Sequence, residues 1–395
     1  MQDRVRALKQ EFQKLFGAGP AAVVRGPGRV DLLGSHTDYN DGFVLPVAVN
    51  MDVLAAGRLR DDGMFSVYSA NFQKLVEFPV DRIEFDKRNT WSNYVRGVIH
   101  FLQQSGVKLR GANMALSGNV PIGSGLSSSA AIEMAAAFLL QTLEGFEMSG
   151  PDLALIGQKA ENKFVGVNTG IMDQFVSRLA KKDHALFLDC RTLEYNQVPL
   201  DTSRVKIVVC DTMKRRGLVG SEYDTRRSQC EEAARLLGQH VPDVKALRDV
   251  SVDDFEQHKD KLPEVVKMRA EHVIRENERV LASREVLYSG DFEEFGRLMD
   301  ASHDSARDLY EVSCAELDAM AEACRTAPGS LCARMAGAGF GGCTVSLVKD
   351  ECVQDFLDVA KTNYQNKTGV DPSFYVCTAE DGASAVDGVV NTEQE

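Results

Sequence analysis

Apolar and polar positions alternate in two registers along this chain. Residues 3–16 carry apolar side chains at helical spacing and predict an amphipathic helix. The stretches AAVVRG (21–26) and VAVNMDVLAAGRL (47–59) read as strands, and FSVYSANF (65–72) with KLVEFPV (74–80) reads as a hairpin pair. TWSNYVRGVIHFLQQ (90–104) returns to helical spacing, with Thr90 as its expected cap. GANMALSGNV (111–120) is strand-like and leads into PIGSGLSSSAAIEMAAAFLL (121–140), where glycines stop and helix formers begin. PDLALIGQKAENKFVG (151–166) predicts a helix with proline at its start. HALFLDC (184–190) and VKIVVCDT (205–212) are buried-strand patterns. Beyond about residue 205 the chain turns helical around 222–238, 260–289 and 291–325, then returns to strand in ARMAGAGFGGCTVSLV (333–348) and SFYVCTA (373–379). No internal repeat is visible, and the acidic, small-residue tail after Ala379 is the one low-complexity candidate. The pattern predicts an α/β chain of the α+β two-layer type.

At 395 residues the chain exceeds one ordinary core, so two domains are expected, residues 1–204 and 205–395. Hydrophobic residues make up 44% and charged residues 26%, a soluble globular balance. No apolar run approaches the roughly 20 residues that span a bilayer. The start, MQDRVRALKQEFQKLF, lacks the apolar region of a signal peptide. Nine scattered cysteines suggest reduced thiols and a cytoplasmic setting. A net charge of −13 argues against nucleic acid as partner, and nothing points to a membrane.

Three segments carry chemistry. In GNVPIGSGLSSSAA (118–131), glycines let backbone N–H groups turn toward a ligand, serines add hydroxyls, and the helix that follows aims its N-terminus at the same place. That is an anion site without the Gly-Lys-Ser/Thr of a Walker loop, or else a turn that caps a helix. GAGFGG (337–342) matches G-x-G-x-x-G only formally, because a strand follows it. It reads either as a loop for close approach of backbone or phosphate, or as a tight bend in a sheet. AENKFVGVNTGIMDQF (160–175) brings Glu161 and Asp173 into one segment. A carboxylate beside a phosphate loop can hold magnesium, and a second can deprotonate a hydroxyl nucleophile. GRVDLLGSHTDYNDG (28–42) crowds polar side chains beside an apolar strand, as a binder of many hydroxyls requires.

Together, GRVDLLGSHTDYNDGFVLPVAV, VPIGSGLSSSAA, NTGIMDQF, SEYDTRRSQCEEAARLLG and RMAGAGFGGCTVSLV resemble the galactokinase family of the GHMP small-molecule kinase superfamily, in family order over residues 20–380. The resemblance implies two lobes with a cleft between them, and transfer of the γ-phosphoryl group of MgATP to the anomeric hydroxyl of a galactose-configured sugar. It implies a catalytic base at Asp173 with Arg29 as its cationic partner, and magnesium ligands at Ser129 and Glu161. The phosphate cradle would be Gly123, Ser124, Gly125, Leu126, Ser127, Ser128 and Ser129, with Trp91 on the adenine side. Sugar would meet Ser35, His36, Thr37, Asp38, Gly170 and Tyr223. A monomer is expected. Two positions depart from the family pattern: Asp31 stands where Asn is usual, and Ser35 where an acid is expected to accept from the sugar's 6-hydroxyl. L-arabinose, which lacks that group, and galacturonate are therefore alternative substrates. A non-catalytic sugar and ATP sensor is the alternative of a different class.

Overall fold

The structure, a computed structural model, describes residues 1–121, 123, 125–215 and 219–388. Its first sheet is built on β1 (Ala22–Leu33) and β2 (Phe43–Leu59), a long antiparallel pair. β3 (Met64–Ser69) and β4 (Lys74–Pro79) form the expected hairpin. β5 (Ala112–Gly118) lies parallel to β3 and antiparallel to β2. β6 (His184–Asp189) joins β2 and pairs with β7 (Tyr195–Pro199). The second sheet is antiparallel throughout. Its order is β11 (Ser373–Cys377), β8 (Val205–Asp211), β10 (Cys343–Lys349), β9 (Ser330–Met335). The last strand, β12 (Ser384–Gly388), returns to the first sheet beside β1.

Helices cover both sheets. The first part of the chain supplies α1 (Gln2–Phe16), α2 (Asn93–Gln104), α3 (Ser128–Glu144), α4 (Gly150–Lys159) and α5 (Met172–Leu179). The second supplies α6 (Val219–Leu237), α7 (Val252–His258), α8 (Glu264–Ser289), α9 (Phe292–Asp308), α10 (Ala315–Arg325) and α11 (Val353–Thr368). No helix among the described residues is long and apolar enough to cross a membrane.

The chain departs from its sequence pattern in five places. β1 does not stop at Gly26 but continues to Leu33, buried on both faces, so it shows no alternation. Pro27 is tolerated because the ladder shifts register between Pro27 and Arg29, where a bulge relieves the missing N–H. Thr90 caps nothing; it lies in a 3-10 turn (Thr90–Ser92), and α2 begins at Asn93. The helical run 291–325 breaks after Asp308, where Tyr310 and Val312 turn inward and are fully buried. α11 and β12 had no clear periodic signal. β12 forms within the supposed tail because β1 offers it an open edge.

One close approach aims the site. α3 is alanine-rich because it lies almost on the backbone of β1. A Cβ at Gly26 would sit 2.4 Å from the Ala131 carbonyl and 2.7 Å from the Ala135 nitrogen. One pleat further on, a Cβ at Gly28 would meet the Leu126 carbonyl at 2.8 Å. The helix N-terminus and the loop before it are thereby pressed onto the end of β1 that carries Arg29. Gly26→Ala must push α3 outward, and overpacking of this kind costs about 1–3 kcal/mol. Urea unfolding of the variant is expected to show that loss; an unchanged midpoint would mean that α3 is not seated this tightly.

Candidate active site

A cavity of about 520 Å³ brings together segments that are far apart in sequence. Arg29 from β1, the glycine-serine loop, the 161–173 segment, the 34–38 loop, Tyr223 and the Gly337–Ala338 turn all line it.

Its centre is an ion pair. Arg29 Nε donates to Asp173 Oδ1 at 2.7 Å and Nη2 donates to Oδ2 at 2.7 Å, a two-pronged contact. Arg29 Nη1 donates to the Gly125 carbonyl at 2.5 Å, and its backbone N–H to the Leu126 carbonyl at 3.1 Å. One arginine therefore fixes both the carboxylate and the loop. Burial alone would lower the Arg29 pKa, but Asp173, with Asp31 and Asp38, outweighs it and raises it. Asp173 sits in the first turn of α5 and also accepts from the Ser127 hydroxyl.

Ser127 stands at the head of α3 in a left-handed conformation, with φ of 56°. Gly123 and Gly125 also have positive φ, at 78° and 91°. The chain thus curls before the helix, and Ser128 and Ser129 of the first turn of α3, where a helix has no internal partner for its N–H groups, line the cavity. Leu126 does not line the cavity; its side chain is buried in the core, and only its carbonyl serves the site. Ser124 lies outside the described residues.

Ser129 hydrogen-bonds Glu161, which also accepts from Thr169 Oγ1 at 3.2 Å and Gln174 Nε2 at 2.6 Å. Burial, with Asp173 close by, pushes the Glu161 carboxyl up. Among the described residues no group of three or more His, Cys, Asp or Glu side chains could hold a metal. A hydroxyl and one carboxylate facing an anion loop suit a hard cation that takes its other oxygens from phosphate and water.

Asp38 also lines the cavity, half-buried and within reach of the charges of Asp173 and Arg29. Burial, then the Asp173 charge, pushes its carboxyl up to about 6. Gly170 makes room for it: a Cβ there would lie 1.7 Å from Asp38 Oδ2. His36 is buried and neutral, its pKa lowered to about 3 by burial and by His272. Its Nδ1 lies 2.9 Å from the Tyr39 hydroxyl, and its ring packs against Tyr223 and Tyr310. Ser35 Oγ is buried with no hydrogen-bond partner among the described residues, and both Ser35 and His36 line the cavity.

Two expected contacts fall elsewhere. Thr37 is fully buried, and its hydroxyl lies 2.6 Å from the Phe43 carbonyl and 2.9 Å from that of Gly34, so it staples the loop. Trp91 does not line this cavity; it stacks on Phe72 with ring centroids 6.0 Å apart. Conversely, the sequence reading missed four residues. Arg334 of β9 is fully buried and donates to the Asp31 and Leu32 carbonyls at 2.9 Å. Asp31 accepts from the Gly337 N–H at 2.8 Å, so the glycine turn is a close backbone approach tied to β1. His272, Glu276 and Asn277 of α8 hold the 34–43 loop from behind. Their signal was His272, Glu276 and Asn277, polar residues within five positions of one another that the helix buries.

Comparison with known proteins places this chain in a family. The galactokinase galactose-binding signature matches residues 10–59. The GHMP kinases N terminal domain matches 93–181, and the GHMP kinases C terminal domain matches 283–361. A galactokinase of Roseiflexus sp. (strain RS-1) is 45% identical over 96% of both chains. One of Fusobacterium nucleatum subsp. nucleatum is 42% identical over 96% of this chain and 99% of its own. The crystal structure of Lactococcus lactis galactokinase complexed with galactose superposes with a TM-score of 0.92. It covers 97% of this chain and 100% of its own at 36% identity. Methanococcus jannaschii mevalonate kinase shares the fold, at TM-score 0.64 and 16% identity. By its sequence over nearly its whole length, its domain signatures and its fold, this chain belongs to the galactokinase family of GHMP sugar kinases.

Proposed function

We propose that this protein transfers the γ-phosphoryl group of ATP to the anomeric hydroxyl of galactose. The observation that carries this reading is the Arg29-bound carboxylate of Asp173 standing in one cavity with a phosphate-type loop and a polyol-type loop. Asp173 accepts the proton of the anomeric hydroxyl as its oxygen bonds to the γ-phosphorus and the bond from that phosphorus to the β,γ-bridging oxygen breaks. Arg29 sets the carboxylate in direction through two hydrogen bonds, which favours a fixed attack geometry. The loop N–H groups and the α3 N-terminus neutralise phosphate charge. Asp38, ionised above about pH 6, and neutral His36 pair with sugar hydroxyls, while Gly170 and Tyr223 close the pocket.

Magnesium fits this donor set: Ser129 and Glu161 would hold it, and it would neutralise charge on the phosphates. Trp91, with Phe72, forms an aromatic face suited to adenine. Curated relatives favour galactose over L-arabinose and galacturonate, and the intact Asp173–Arg29 pair favours an enzyme over a sensor. The protein is expected to act as a monomer in the cytoplasm, with no nucleic acid or membrane partner.

Asp173→Asn is expected to lower kcat by about 10²–10⁴-fold. It should also lose stability, because Arg29 then lacks its main counter-charge, so rates are to be taken well below the unfolding transition. A folded variant with near-normal turnover would remove Asp173 from the mechanism.

Ser129→Ala and Glu161→Ala are expected to raise the magnesium concentration for half-maximal rate. A titration at fixed ATP reads it, and an unchanged magnesium dependence in both variants would put the cation elsewhere.

Ser35 decides how the sugar's C6 is read. A charge-assisted hydrogen bond is worth roughly 1.5–3 kcal/mol, or about 10- to 150-fold in affinity. Ser35→Glu is therefore expected to raise kcat/KM for galactose relative to L-arabinose and galacturonate. Steady-state rates with the three sugars in both proteins test this. An equal or smaller galactose preference in the variant would show that position 35 does not sense C6.

A further inference from the structure

The Ser35–His36 segment is held in an unfavourable shape by groups that never reach the cavity. His36 has φ of 61°, a left-handed backbone that a residue with a Cβ enters at a cost. Such a conformation persists only where the surroundings over-determine it. Glu276, fully buried on α8, accepts the Gly34 N–H at 2.9 Å and the Ser35 N–H at 3.1 Å on one oxygen. The same oxygen accepts from Ser302 at 2.7 Å, and Arg279 holds the other at 2.6 Å. One turn earlier, His272 Nε2 lies 3.1 Å from the Ser35 carbonyl. A carbonyl only accepts, so Nε2 carries the hydrogen, and the neutral ring accepts at Nδ1 from the Ser305 hydroxyl at 2.8 Å. Beyond His36, Asn40 Nδ2 donates to the His36 carbonyl at 2.9 Å. At the loop's far end Asn277 Oδ1 accepts the Phe43 N–H at 3.0 Å.

We propose that Glu276 and His272 are positioning residues for the sugar: they grip the N–H and the C=O of Ser35 and so hold His36 left-handed, aimed into the cavity. This rests on the reading of that loop as the sugar site. Neither residue lines the cavity, and each acts only through the loop. The spacing of four places both on one face of α8, where a fully ionised carboxylate and a neutral imidazole meet complementary ends of one residue. Burial raises the Glu276 carboxyl, but Arg279 and Arg334 outweigh it and hold the group ionised, so both N–H groups meet a charged acceptor.

The test separates galactose from ATP. Galactose affinity by calorimetry and KM for both substrates are measured in Glu276→Ala, Glu276→Gln, His272→Ala and His272→Gln. Glu276→Ala is expected to weaken galactose roughly tenfold or more, with KM for ATP near wild type. Glu276→Gln keeps an acceptor oxygen and His272→Gln keeps a donor, so both are expected to recover part of the loss. These two variants also carry the test if the alanine variants do not fold. Folded alanine variants that bind galactose as tightly as wild type would overturn the proposal, and where the alanine variants do not fold, glutamine variants that bind as tightly as wild type would overturn it. So would equal losses for galactose and ATP, the mark of a merely structural role. Wild-type protein that binds no galactose would instead overturn the function reading, and the clasp with it.

Discussion

The architecture turns on the burial of one arginine. Arg29 lies on a strand enclosed on both faces, and a guanidinium taken out of water without partners would be strongly unfavourable. The fold answers with the Asp173 carboxylate and the Gly125 carbonyl. Meeting that need brings α5 and the glycine-serine loop to β1. The close packing of α3 on Gly26 and Gly28 does the rest, setting a helix N-terminus beside the same arginine. Satisfying one charge therefore brings together the Asp173 carboxylate, its counter-ion and the glycine-serine loop.

A second set of buried charges joins the two halves of the site. Arg334 on β9 reaches the Asp31 and Leu32 carbonyls, and Asp31 in turn takes the Gly337 N–H. Glu276 on α8 takes two N–H groups of the 34–35 turn. Arg334 and Glu276 thus satisfy backbone of the first half of the chain, and Asp31 satisfies backbone of the second. Asp31 also has Arg334 Nη1 at 3.3 Å from its carboxylate. Ser35 differs in kind. Its backbone N–H and C=O are both engaged, while its hydroxyl, beside the cavity, has no partner among the described residues.

Much of the chemistry was legible along the chain. The glycine-serine run before an alanine-rich helix, the polar crowd after β1, and Glu161 with Asp173 in one segment all signal through local composition, and all line one cavity. Thr37 and Leu126 sit within those motifs yet face the loop backbone and the core. A motif gives neighbours in sequence, but the direction of each side chain depends on what packs behind it. The path of β1 through Gly26, Pro27 and Gly28 was hidden because a doubly buried strand has no alternation, and its bulge is set by β2.

The sequence by itself determined residue types, spacings and family, and with them the kind of chemistry the cavity can do. Only the tertiary structure decided which distant groups complete it. The Arg29–Asp173 contact spans 144 residues, Ser35 meets Glu276 across 241, and Gly337 meets Asp31 across 306. Such pairings leave no periodic trace, because a hydrogen bond's partner is fixed by position in space and not by order along the chain. The buried polar face of α8 was visible in the sequence as residues, but its purpose exists only where the 34–36 loop lies against it.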